Sequence, residues 1–333
     1  MAHLIKLEDY ISRYQFDLHR YPSQYSRMKK ERWYYVKSDW EQFQLDSVNG
    51  DTKEYQYDEV LEEERGLLAQ TFERIKRWTK RNRDQVEIVD MNDHSRSIAD
   101  ERMKNMTLEQ LKQSFLDDLF YSQLRWASSS LVEESSIDPR YKRDTWLRFF
   151  AQKVPDNYFL MYKPVFFIKK APIELDIILI SPTEIICVTI IEGQEHSVFE
   201  ASSDRFWTEY IDETRKKRIS PLLSLSRMTG VIREIIDDAE LSFPIRKVVL
   251  CPTSIIDNKM QGANVELVDR RTFDSWQTRI IKHPSPLKHQ QMKVTAALLE
   301  HCHTVSYQFE DSQIADEESE QESLEKNESQ GLK

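Results

Sequence analysis

Residues 174–193 read ELDIILISPTEIICVTIIEG. Two apolar runs flank the tetrapeptide Ser181-Pro182-Thr183-Glu184, the pattern of two strands joined by a hairpin loop. With those four residues as the loop, Ile180 faces Ile185 and every facing pair sums to 365. Asp176 then stands opposite Thr189, and Glu174 opposite Ile191. Side chains alternate along a strand, so all four share one face. Directly opposed Cβ atoms lie about 5 Å apart. Runs this apolar belong to strands covered on both sides, which predicts a layered α/β domain with a mixed sheet.

The remainder of the second half agrees. A short helix is expected near 144–153, followed by the strand-like YFLMY and VFFI. Leu222, Leu225, Met228, Ile232 and Ile235 recur at helical spacing over about 221–237. RKVVLCP and VELVD read as further strands, a helix follows Thr272, and a last helix covers about 286–302.

The first 130 residues read as helical. Leu4, Leu7 and Ile11 stand at helical spacing, and Trp33, Val36 and Trp40 continue the pattern. Residues 58–82 begin acidic and end basic, the polarity a helix dipole favours. Thr107 with Gln110 forms a capping box ahead of Leu108, Leu111, Phe115 and Leu119. Residues 84–106 and 128–140 are polar and read as linkers. The aromatics of 10–43 (Tyr10, Tyr14, Phe16, Tyr21, Trp33, Tyr34, Trp40) suit core packing, packing across a cleft, or a dimer surface. The expected organisation is a helical region at 1–130, an α/β domain at 131–305 and an acidic, disordered tail at 306–333.

Composition narrows the function classes. Six glycines, with no GxGxxG and no GxxxxGK[ST], leave no phosphate-cradling loop. Cys187, Cys251 and Cys302 are widely spaced and odd in number, and Cys187 and Cys251 sit inside apolar runs, which points to reduced core residues of a cytoplasmic protein. No stretch is long and apolar enough to suggest a signal core or a membrane span. The net charge is −10, and the segment from Glu310 onward, with nine acids and two lysines, carries −7 of it. That segment is expected to act as a solubilising or interaction tail. A general DNA-coating protein, which relies on neutralising phosphates, is disfavoured.

The ELD of the quoted stretch, its apolar–turn–apolar continuation, and Ser220-Pro221-Leu222 at a helix entry resemble the nuclease-related domain (NERD) family. This family belongs to the restriction-endonuclease-like superfamily. The resemblance covers about 143–270, and Trp207 also fits. It implies a restriction-endonuclease-like core. In active members a glutamate and a lysine would occupy the positions of Thr189 and Ile191, and a glutamine would fall near Ser224. An aspartate–glutamate pair at 176 and 189 would share one Mg²⁺, with the lysine orienting water and stabilising charge on phosphorus. Thr189 offers one neutral hydroxyl and Ile191 offers nothing. A register shifted by one residue would bring Glu192 to the face but turn Asp176 away.

The expectation is therefore a degenerate, catalytically inactive family member with vestigial positions Glu174, Asp176, Thr189, Ile191 and Ser224. Such a protein would use no cofactor and would bind a protein partner or nucleic acid, without a membrane. Arg215, Lys216, Lys217 and Arg218 are the candidate nucleic-acid contacts. The alternative is a Mg²⁺- or Mn²⁺-dependent nuclease using Asp176, the only position where a metal site would survive, with Glu174 and a migrated lysine. Lys163, Lys169 or Lys170 would supply that lysine, and Glu192 or Glu200 a migrated ligand. The basic cluster Arg74, Lys76, Arg77, Lys80, Arg81 and Arg83 reads as one side of a solvated helix. His301-Cys302-His303 reads as a helix-end cluster, with no second pair to complete a zinc site.

Overall fold

The computed structural model describes residues 1–49, 105–130, 133–260, 264–283 and 285–305. The tail, the basic cluster at 74–83 and most of the expected linker at 84–106 lie outside the described residues. The fold is mixed α/β, and its centre is a six-stranded sheet ordered β1-β2-β5-β6-β10-β12. These strands are β1 (His3–Leu7), β2 (Phe159–Tyr162), β5 (Ile177–Ile180), β6 (Ile185–Ile190), β10 (Ile245–Cys251) and β12 (Glu266–Asp269). Pairing is parallel for β1/β2, β6/β10 and β10/β12, and antiparallel for β2/β5 and β5/β6.

Alternation along the central strands sorts their side chains into two cores. Ile178, Ile180, Ile185 and Cys187 pack with Leu225, Met228 and Ile232 of helix α5 (Pro221–Asp238) and Val294 and Leu298 of α7 (His289–Glu300). Ile177, Leu179, Ile186 and Val188 face the other way. They meet Phe120 and Leu124 of α2 (Leu108–Ala127), Leu147 and Phe150 of α4 (Thr145–Lys153), and Trp276 of α6 (Phe273–Ile281). A short helix, α3 (Pro139–Arg143), precedes α4. Its cap is Asp138, and that of α4 is Asp144. Helix covers both faces of the sheet, which explains why its strands lack a polar side.

Two further sheets flank this core. The hairpin β3 (Val165–Ile168) and β4 (Ala171–Glu174) stands alone. A four-stranded sheet is ordered β11-β7-β8-β9, from β7 (Val198–Ala201), β8 (Phe206–Ile211), β9 (Thr214–Ile219) and β11 (Ile255–Asn258). β7, β8 and β9 are not anticipated from the sequence, and β9 (TRKKRI) is polar in every position but the last.

The N-terminus departs from the helical expectation. His3–Leu7 is a buried strand, followed by a 3-10 turn at Arg13–Gln15. The pairing with β2 shifts register between Leu4 and Lys6. Such a bulge resets the two-residue period, so Leu4 and Leu7 reach one core while Ile5 enters the other. The resulting three-residue spacing imitates a helix. The chain divides into one unit of Met1–Arg27 with Leu116–Lys333, and another of Met28–Phe115. The first helix, α1, spans Arg20–Asn49. Within the smaller unit Trp40 donates its indole N–H to the Met106 carbonyl (2.9 Å), and Trp33 packs against Phe115. In the larger unit Tyr10, Tyr14, Tyr21 and Tyr25 are buried, whereas Phe16 is exposed. The capping box of α2 forms as expected, with Thr107 and Gln110 exchanging hydrogen bonds.

One charge is enclosed by this arrangement. Lys6 is 0% exposed in β1. Its Nζ donates to the Tyr10 carbonyl (2.6 Å), Thr304 Oγ1 (3.0 Å) and Gln15 Oε1 (3.4 Å), joining the first strand to the chain just after α7. Burial holds its pKa down at about 8, against the opposing pull of Cys302 and Asp9. Between that value and the ordinary 10.5 the unfolded chain binds the proton and the folded one does not. Stability attributable to Lys6 therefore rises with pH across this window, by on the order of 2–3 kcal/mol. Urea unfolding at pH 7.5 and pH 10 checks this: wild type should gain relative to Lys6→Met, and parallel behaviour of the two proteins contradicts it.

Candidate functional site

The β5/β6 hairpin pairs Ile177 with Val188, Ile178 with Cys187, Leu179 with Ile186 and Ile180 with Ile185. This is the sum-of-365 register expected from the loop, and Ser181 N–H closes it on the Glu184 carbonyl (2.9 Å). Asp176 lies one residue before β5 and Thr189 within β6, so the register brings them face to face. Thr189 follows Ile185 and Cys187 on the side covered by α5. That side also presents Ser224, in the first turn of α5.

The three meet at one atom. Asp176 Oδ2 accepts a hydrogen bond from Thr189 Oγ1 at 2.6 Å and another from Ser224 Oγ at 2.7 Å. The Asp176 carbonyl in turn accepts from the Lys163 N–H at 2.8 Å. Three positions singled out in the sequence are thus brought together. Glu174 is not placed opposite Ile191. It ends β4, where it pairs with Val165, and its side chain is exposed. Leu175 and Asp176 separate β4 from β5, and β4 pairs with β3, which defeats simple extrapolation of the hairpin. Ile191 packs against the core and donates its N–H to the Leu250 carbonyl (2.8 Å).

Two clefts adjoin Asp176. The smaller, about 470 Å³, is bordered by Pro172, Ile173, Glu174, Asp176 and Arg227. The larger, about 700 Å³, runs past Asp176, Thr189, Glu192, Arg218, Ser220 and Ser224, and also meets Arg227. Arg227 is exposed and makes no ion pair among the described residues. It was missed in the sequence, although it follows Ser224 by three positions and so lies on the same face of α5.

The proposed migrants do not assemble here. Lys163, Lys169 and Lys170 border neither cleft. Lys163 lies over the Tyr162 ring, and Lys169 pairs with Glu234 (2.8 Å). Glu200 belongs to β7 and takes hydrogen bonds from Lys259 (2.8 Å) and Tyr210 (3.0 Å), which hold its carboxyl below the usual range. Glu192 does reach the larger cleft, where it accepts from the Trp146 indole (3.1 Å).

The basic run 215–218 forms β9 and divides by alternation. Arg218 turns to Glu209, which is 0% exposed, with Nε 2.7 Å from Oε2. Burial pushes the Glu209 carboxyl upward, but Arg218 and the Gln194 N–H outweigh it and leave the group below its ordinary value. Arg215 lies over the Tyr210 ring, on the opposite face. His301, Cys302 and His303 end α7 as expected. His301 Nδ1 bonds the Ala297 carbonyl, Cys302 Sγ donates to Leu298 O, and burial lifts the Cys302 thiol to about 12.

The residues at Asp176 do not fit the divalent ion of an active nuclease. Mg²⁺ favours octahedral oxygen ligands that include carboxylates. Asp176 spends one oxygen on two hydroxyl donors, and no second carboxylate faces it from β6. Among the described residues no group of three His, Cys, Asp or Glu side chains is arranged to hold a metal. No helix among them is long and apolar enough to cross a membrane.

No family model matches the chain, and no solved structure matches it significantly. An RNA 2′,3′-cyclic phosphodiesterase of Geobacillus stearothermophilus is 34% identical over 122 residues. The alignment covers 36% of this chain and 35% of that protein, so the chain spans about a third of the relative's length.

Because Thr189 and Ser224 share Asp176, their contributions are coupled. Thr189→Val and Ser224→Ala should each cost about 1–2 kcal/mol of unfolding free energy, by removing one of the two hydroxyl donors to a half-buried carboxylate. In an Asp176→Asn background each should cost less. Denaturant titration of the full double-mutant cycles measures this, and strictly additive values would show that the shared oxygen has no structural weight.

Proposed function

We propose that the larger unit is a NERD-like domain that has lost hydrolysis and acts as a binding module. One observation carries this reading: Asp176 Oδ2 is occupied by the hydroxyls of Thr189 and Ser224, where the resemblance implies a glutamate and a glutamine. A carboxylate held by two neutral donors keeps the old geometry without recruiting a cation. The apolar Ile191, where a lysine is implied, supports the same conclusion. The partner is a protein or a nucleic acid met at the clefts or on the basic strand β9, and the intended setting is the cytoplasm.

A second reading, hydrolysis of a phosphodiester, has one structural observation in its favour. Glu174, Asp176 and Arg227 border a single cleft, two acids beside one cation. The name of the Geobacillus relative points to the same bond type in RNA. Against it stands the poor donor set at Asp176. Neither cleft is bordered by a histidine, the commonest group for moving the proton in such chemistry without a metal.

Incubation of purified protein with single-stranded RNA, duplex DNA and a 2′,3′-cyclic nucleotide, each with Mg²⁺, Mn²⁺ or EDTA, separates the two. The binding role predicts no turnover under any condition. Metal-dependent cleavage abolished by Asp176→Ala would establish the nuclease alternative. Metal-independent opening of the cyclic nucleotide would establish the other.

A further inference from the structure

The four-stranded sheet has one face in the core and one in solvent. Trp207 and Glu209 of β8, with Phe199 of β7, point inward and are buried. Their neighbours point outward. On β8 these are Phe206, Thr208 and Tyr210, paired respectively with Ile219, Lys217 and Arg215 of β9. Phe206 is 45% and Ile219 71% exposed. β9 ends the sheet, and all six of its residues are exposed. A guanidinium already lies near each ring, Arg205 at 5.7 Å from Phe206 and Arg215 at 5.3 Å from Tyr210.

Charge on this face is unevenly distributed. Glu200, its acid on β7, is answered by Lys259 and the Tyr210 hydroxyl. Arg205, Arg215 and Lys217 make no ion pair among the described residues. Asp204 precedes β8, and Asp212 with Glu213 forms the hairpin tip, so acids stand at the ends of the strip and cations along it. Charge alone is the ordinary protection of an open sheet edge. The exposed Phe206 and Ile219, interleaved with that charge, call for a different explanation.

We propose that this outer face, built on Phe206, Tyr210 and Ile219 with Arg205, Arg215 and Lys217, is a docking platform for single-stranded nucleic acid. It names the partner class for the binding role above and rests on that role. A single strand offers what the face complements, unstacked bases for the rings and a phosphate track for the cations. A duplex offers phosphates but no free ring faces. Phe206 and Tyr210 stand four residues apart, about 13 Å along the strand, which suits two or three bases. Lys216 and Arg218 belong to the opposite face, so the basic run contributes through alternate residues only.

Fluorescence anisotropy with the full chain, in EDTA, tests the platform using labelled 15-nucleotide oligo(U) and oligo(dT) and a duplex of the same length. The single strands should bind, and the duplex at least tenfold more weakly. Phe206→Ala should weaken single-strand binding roughly tenfold, and Phe206→Tyr should restore it. Joint Arg215→Gln and Lys217→Gln substitution should flatten the slope of log affinity against log salt by about 1.4. Phe167→Ala, at a phenylalanine 49% exposed on the separate β3–β4 hairpin, should change nothing. No single-strand binding at low salt, equal affinity for the duplex, or an unchanged Phe206→Ala variant would each overturn the proposal. EDTA keeps the tests apart: metal-dependent cleavage elsewhere would remove the non-catalytic role, while loss of binding here removes the platform.

Discussion

Two hydroxyls on one carboxylate oxygen tie the two halves of this fold's centre together. Thr189 belongs to the sheet and Ser224 to the helix covering it, and both donate to Asp176 Oδ2. A half-buried carboxylate must be solvated, paired or hydrogen-bonded, and here the neighbouring elements supply the donors. The bonds fix where α5 begins relative to the end of the β5/β6 hairpin. The clefts on either side of Asp176 take their shape from that placement. Arg227, one turn along α5, is consequently carried to both.

The same constraint separates this arrangement from a metal centre. A second carboxylate at 189 would repel Asp176 unless a cation lay between them, whereas a threonine satisfies it directly. Ile191 adds to the contrast, since its apolar side chain packs against the core and borders the larger cleft without a charge.

The hairpin was legible because its signals are local and mutually consistent. Four loop residues set the register, and continuous apolar strands demanded cover on both faces. The helices with plain 3.6-residue periodicity, such as α5 and α2, were legible for a similar reason. The N-terminal strand was not. A bulge between Leu4 and Lys6 placed apolar residues three apart, and only the pairing with β2 reveals why. β8 and β9 escaped because a solvent-facing sheet edge need not be apolar, and TRKKRI carries no alternation. At the site, the facing of Asp176 and Thr189 followed from arithmetic. The displacement of Glu174 depended on a second hairpin, β3–β4, whose pairing the sequence does not announce. Arg227 was within reach of helical spacing from Ser224, had the helix face been read outward from that residue.

Calorimetric titration of Mn²⁺ into the wild type and Asp176→Asn tests the central claim most directly. If the two hydroxyls have replaced the ion, neither protein should bind Mn²⁺ at micromolar concentrations. One-to-one binding in the wild type, lost in Asp176→Asn, would contradict that claim and mean that the carboxylate still recruits a metal.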